Sequence, residues 1–123
     1  MYLADTSVLI ELLIGTAKAQ KVMEIVGDQN LATSSLCAFE LLKNRTTREK
    51  NLAKDFLDSI DVIPFDLPLA HESAELVNKL KKSGHMINAI DILVATTANL
   101  NGFHLLTLDR DFSKIPGLQL TTL

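Results

Sequence analysis

Short apolar runs of strand length alternate along this chain with longer segments of helical period. Residues 2–5 read as a buried strand ending in Asp5. Thr6 or Ser7 then caps a short helix through about Leu13, and Gly15 stops it. Residues 17–26 form a second helix, apolar at Val22, Met23, Ile25 and Val26. Residues 30–33 make a short strand, and Ser34 or Ser35 caps a helix through about Lys43 that carries Glu40. Residues 47–59 form another helix, with Leu52, Ala53, Phe56 and Leu57 at helical spacing. Residues 60–65 alternate as a strand, and Pro64 suits an edge position. Pro68 opens a helix that reaches Lys82 and stops at Gly84. A long apolar helix covers residues 88–101, ending at Gly102. Strands at 103–107 and 118–121 complete the pattern.

Strands that alternate with helices predict an α/β fold of three layers, α/β/α, around a mostly parallel sheet. No linker, repeat or low-complexity tract divides the chain, so residues 1–123 read as one domain. Ligands in such sheets bind outside the carboxyl ends of the strands. Asp5 and Asp109 both fall at that end of their strands.

Composition narrows the class. Hydrophobic residues make up 47% of the chain, and the mean hydropathy is +0.20. That is apolar enough to suggest a surface covered by a partner or a second copy. No apolar run approaches the roughly 20 residues of a spanning helix, and no signal peptide is visible. Met1 leads straight into the first strand, which leaves nothing for targeting. The single Cys37 forms no internal disulfide and fits a reducing cytosol; it also excludes the usual cysteine-based zinc sites. His71, His85 and His104 are scattered without ligand spacing. Aromatic residues are only 5%, which does not support a base-stacking platform.

The formal net charge of −3 argues at first against a nucleic-acid partner. Five acidic residues change that picture because of where they stand. Asp5 ends an apolar run, Glu40 lies between Phe39 and Leu41, and Asp91 interrupts Ile90–Ile92–Leu93–Val94. Asp109 and Asp111 follow the run 105–108. An unpaired buried carboxylate costs several kcal/mol or neutralises itself. No Lys or Arg lies close in sequence to the first three. A hard divalent cation such as Mg²⁺ or Mn²⁺ would satisfy them, and carboxylates gathered around such an ion suit phosphodiester hydrolysis. With five carboxylates neutralised by metal, ten acidic residues face twelve basic ones. Lys43, Arg45, Arg48, Lys50 and Lys54 form a basic group directly after Glu40, and Arg110 flanks the late acidic pair. These cations are candidate phosphate contacts, though such runs are commonly solvated helix faces. The competing reading of Asp5 is a helix cap, which Thr6 or Ser7 could also supply. Asp109 and Asp111 could be turn residues, with Asp111 capping the turn that follows.

Together these residues carry a resemblance. Leu3-Ala4-Asp5-Thr6-Ser7, then Ser34-Ser35 leading to Glu40-Leu41, then the stretch 91–98, and finally residues 106–112 resemble the PIN-domain ribonucleases. The likeness is in particular to the VapC toxins of prokaryotic toxin–antitoxin pairs, and it runs the whole chain. It implies that Asp5, Glu40, Asp91 and Asp109 are a metal-binding catalytic quartet, with Asp111 a fifth metal-binding carboxylate. It implies that Thr6 buttresses the first Asp and that Thr107 orients the late one. It further implies endonucleolytic, Mg²⁺- or Mn²⁺-dependent cleavage of RNA, a homodimer, a VapB-like antitoxin partner and a cytoplasmic location. No acidic position is missing, which argues against a non-catalytic binding module. A housekeeping nuclease of RNA processing or decay is the main alternative to a toxin. A haloacid-dehalogenase-type phosphatase would need a second Asp where Ser7 stands, and a receiver-type domain would need an early acidic pair.

Overall fold

A computed structural model describes residues 1–123. Five strands form one sheet in the order β3-β2-β1-β4-β5, and every neighbouring pair is parallel. The strands are β1 (Tyr2–Ala4), β2 (Leu31–Ser34), β3 (Asp61–Ile63), β4 (His104–Thr107) and β5 (Leu120–Thr122). Between β1 and β2 run α1 (Thr6–Ile14) and α2 (Ala17–Val26). Between β2 and β3 run α3 (Ser35–Leu42) and α4 (Thr47–Asp58), and between β3 and β4 run α5 (Leu67–Lys82) and α6 (Ala89–Leu100). Parallel strands require such crossovers, and right-handed ones running in opposite directions along a sheet cover its two faces. The result is the expected α/β/α arrangement.

Local chemistry explains the boundaries. Thr46 and Glu49 form a reciprocal capping box at the start of α4. Asp66 caps α5 by accepting from the Leu69 amide at 3.2 Å, and Pro68 sits in the first turn, where no backbone N–H is needed. Gly15 closes α1 in the left-handed region at φ 83°, where a Cβ would be strained. Asn88 caps α6 through its side chain.

Three expectations need correction. The strand expected at 60–65 is only Asp61–Ile63, and Pro64 lies just past its end; β3 is nonetheless an edge. Leu52 and Met23 do not face the core, being 54% and 57% exposed. They occupy the margins of the apolar stripes, whose centres are Ala53 and Leu57 on α4 and Val22 and Val26 on α2. The segment after β4 is not merely a turn but a 3-10 helix, Arg110–Lys114, anchored by the buried Phe112 ring.

The topology has one switch point. The chain moves from β1 outward to β2 and β3, then returns to lay β4 on the other side of β1. Crossovers leave this junction in opposite directions, so a crevice opens at the carboxyl ends of β1 and β4. The central strand β1 is fully buried at Leu3 and Ala4. Truncating Leu3 to Ala should therefore cost about 2–5 kcal/mol. The same change at exposed Leu52 should stay within about 0.5 kcal/mol. Urea midpoints of the two variants check both values.

Candidate active site

Asp5 stands one residue past β1, and its amide continues the ladder by donating to the Leu106 carbonyl at 3.1 Å. Its side chain is buried, and each oxygen is engaged. Oδ1 accepts from the Ser7 hydroxyl at 2.5 Å and from the Val8 amide at 3.1 Å. Oδ2 accepts from the Thr107 hydroxyl across the β1–β4 junction. Asp5 is thus the N-cap of α1, a task the sequence left open to Thr6 or Ser7. A carboxylate offers about four acceptor positions, so three donors leave one position free.

Burial pushes the Asp5 pKa above its ordinary value; the Ser7, Thr107 and Val8 donors oppose the shift, and the charge of Asp109 adds to it. Burial is also the largest influence on Asp91, in the first turn of α6. The charges of Asp109, Asp5, Glu40 and Asp111 follow, and the Asp91 pKa rises to about 6. No hydrogen bond opposes that rise. Carboxylates from four other places in the sequence therefore share one electrostatic neighbourhood with Asp91.

Glu40 belongs to it through α3. Its Oε1 accepts from the Thr6 hydroxyl at 2.8 Å. The hydroxyl expected to buttress Asp5 thus holds Glu40, and Ser7 buttresses Asp5 instead. Geometry separates the pair: Thr6 begins α1, while Ser7 folds back over its cap. Ser7 does a second job, accepting the Leu108 amide at 3.0 Å and so joining the two strand ends. Thr107 also differs from expectation. Its hydroxyl donates to Asp5 while accepting the Asp109 amide at 2.9 Å, so it orients the backbone of the late Asp and the side chain of the early one.

Asp109 caps the 3-10 helix, its Oδ1 accepting the Asp111 amide at 2.9 Å. The cap expected of Asp111 therefore belongs to Asp109. Asp111 is exposed and pairs with Lys114 at 3.2 Å. The only other ion pair joins Arg45 to Glu49 at 3.7 Å, so Asp5, Glu40, Asp91 and Asp109 have no cationic side chain as partner. Arg45 is further committed to the end of α3, donating to the Leu41 carbonyl at 2.9 Å. Arg48 and Arg110 are exposed, and Lys43 lies over the Phe39 ring.

No three of these carboxylates close on one point as a completed ligand set. The fit to a divalent metal rests on donor chemistry: hard carboxylate oxygens, one acceptor position left on Asp5, and no competing ammonium or guanidinium. Cys37 lies in the same neighbourhood, but burial pushes its thiol up to about 11, too high for a nucleophile at neutral pH.

The acidic residues are visible in the sequence because Glu40 and Asp91 interrupt apolar runs and Asp5, Asp109 and Asp111 stand at or just past the ends of others. Pattern reasoning missed Ser7, whose signal was present: a hydroxyl two residues after an Asp at a strand-to-helix turn. The Thr107–Asp5 bond spans 102 residues and has no local signal.

The raised pKa values fix a pH dependence. Asp91 binds its proton more tightly folded than unfolded, so its contribution to stability is full below about 3.8 and is lost as pH rises through about 6. Asp5 acts in the same direction. The lowered Glu49 pKa acts oppositely, losing stability only as pH falls below its ordinary 4.5. The metal-free protein should thus melt higher at pH 5 than at pH 7.5. Asp91→Asn should raise Tm at pH 7.5 by roughly 4 °C. That corresponds to about 1 kcal/mol once solvent screening of this half-buried group is discounted. It should also flatten the difference between the two pH values in calorimetric scans.

Comparison with known proteins agrees with this geometry. The PIN domain family model matches residues 2–118. Ribonuclease VapC1 of Rickettsia felis is 31% identical, over 96% of this chain and 92% of its own. The crystal structure of VapBC2 from Rickettsia felis, bound to a promoter DNA fragment, matches in fold with a TM-score of 0.87 at 22% identity, covering 98% of this chain and 97% of that one. DNA-bound VapBC from Salmonella typhimurium matches with a TM-score of 0.86 at 19% identity, covering 98% and 96%. From the acidic switch point of its sheet to the family model that spans nearly its whole length, this chain belongs to the PIN-domain family, with a VapC ribonuclease among its relatives.

Proposed function

We propose that this chain is a Mg²⁺- or Mn²⁺-dependent endoribonuclease and the toxin of a VapBC-type pair. The observation that carries the reading is the neighbourhood of Asp91, where like charges from β1, α3 and the end of β4 crowd one carboxylate with no cation to balance them. Phosphodiester hydrolysis uses that arrangement, and a relative named as a VapC ribonuclease at 31% identity gives the substrate class.

In this reading Asp5, Glu40, Asp91 and Asp109 would hold the metal, which would supply activation of a water and balance of charge on the phosphate. The remaining work belongs to the chain. Thr107, Ser7 and the Val8 amide fix the Asp5 carboxylate so that its free acceptor position faces a constant direction. Thr6 fixes one oxygen of Glu40 and leaves the other available. Asp91 must be deprotonated to bind metal, so activity should fall as pH drops through its raised pKa of about 6. Asp111 already has Lys114 and serves at the margin.

Two features support the toxin role. Exposed apolar side chains, among them Ile14, Met23, Leu67 and Met86, suit cover by an antitoxin or a second copy. The related folds at high TM-score are VapBC assemblies. No helix is long and apolar enough to cross a membrane, which accords with the cytoplasmic location of such a pair.

Expression of the chain alone should arrest growth, and the purified protein should cleave single-stranded RNA with Mg²⁺ or Mn²⁺ but not in EDTA. Asp91→Asn should abolish both effects while remaining folded. Full cleavage in EDTA after exhaustive dialysis would sink the metal reading.

A second pair of variants separates the late carboxylates. Asp109→Ala should lose cleavage and metal affinity, and about 1 kcal/mol of stability with its cap. Asp111→Ala removes an exposed ion pair and the smallest of the four like charges acting on Asp91, so it should keep cleavage and lose less than about 0.5 kcal/mol. Metal titration by calorimetry and a gel assay decide between them; a dead Asp111→Ala beside an active Asp109→Ala reverses the assignment.

A further inference from the structure

Phe39 is 65% exposed, the one aromatic residue of this chain among its exposed large apolar side chains. It immediately precedes Glu40 on α3. The Lys43 ammonium lies 5.8 Å from the ring centroid, one helical turn on. Lys43 has no carboxylate partner, since the two ion pairs of the chain are Arg45–Glu49 and Lys114–Asp111. Arg48 stands exposed in the first turn of α4.

An exposed ring costs free energy in water, and nothing in the fold requires it, because α3 packs through Cys37 and Leu41. The ring is wide enough to stack a base, and an ammonium beside it can meet the flanking phosphate. We infer that Phe39 and Lys43 form a substrate subsite on α3, the helix that also carries Glu40, where Phe39 stacks a nucleobase of single-stranded RNA and Lys43 contacts its backbone. This rests on the ribonuclease reading above. It adds that the enzyme requires an unpaired base on its substrate, since a base inside a duplex cannot present its face to the ring.

The test is steady-state cleavage of a short single-stranded RNA in Mg²⁺, with 2-aminopurine at successive positions around the cut. Phe39→Ala should raise KM on the order of tenfold and leave kcat nearly unchanged, with Tm close to wild type because the ring is exposed. Phe39→Tyr should restore KM. Fluorescence of 2-aminopurine at one position should be quenched by wild type and by Phe39→Tyr but not by Phe39→Ala. Lys43→Gln should weaken binding and lower the salt dependence by about 0.7 in the log–log slope, as expected for one lost contact to a single strand. An active wild type whose KM and quenching are unchanged in Phe39→Ala overturns the subsite and leaves the nuclease reading standing. If that same variant instead loses self-association or antitoxin binding, the ring is a protein-docking residue. A wild type that neither binds nor cleaves RNA removes both readings.

Discussion

The buried carboxylate of Asp5 is the interaction on which the rest of this structure turns. A carboxylate at the end of the central strand is expensive to desolvate, and three donors meet it there from three directions. Two of them, the Ser7 hydroxyl and the Val8 amide, lie in the first turn of α1, and the third, the Thr107 hydroxyl, comes from the end of β4. The same contacts that make the charge tolerable therefore fix the first helix and join the two strands of the switch point. Stability and site geometry are not separate properties here.

Asp91 lacks that compensation. It gains nothing from hydrogen bonding and is raised by burial and by four like charges. Repulsion of this kind opposes folding, and a cation bound only by the native state reverses it by mass action. The fold is thus strained in its charge distribution, and carboxylates perturbed in this way cluster at functional sites.

Much of this was legible in the sequence. Strand and helix periods were clear because the parallel strands are short apolar runs and the helices carry distinct caps, as at Thr46 and Asp66. The acidic residues stood out because each breaks an apolar segment or stands at its end. What could not be read were the partners. Thr6 and Ser7 are adjacent hydroxyls of nearly equal chemistry, and only the path of the chain sends one to Glu40 and the other to Asp5. The cap of the 3-10 helix moved from Asp111 to Asp109 because the backbone turns immediately after β4, two residues earlier than a cap at Asp111 would need. Phe39 looked like part of an apolar helix, and its exposure follows from the turning of α3 against its neighbours, which no local pattern records.

The Thr107–Asp5 bond has a consequence in time as well as in space. It joins residues 102 positions apart, and β1 acquires its second neighbour only when β4 is laid beside it. During synthesis the first strand and its carboxylate emerge long before the segment that completes them, and such long-range pairing is slow to form. A chain halted before residue 104 lacks β4, Thr107 and Asp109 altogether. The acidic centre therefore cannot assemble on a partly made polypeptide. Whatever chemistry it performs is withheld until residues 104–109 have been made, and a product halted before them carries Asp5 without the strand and hydroxyl that hold it.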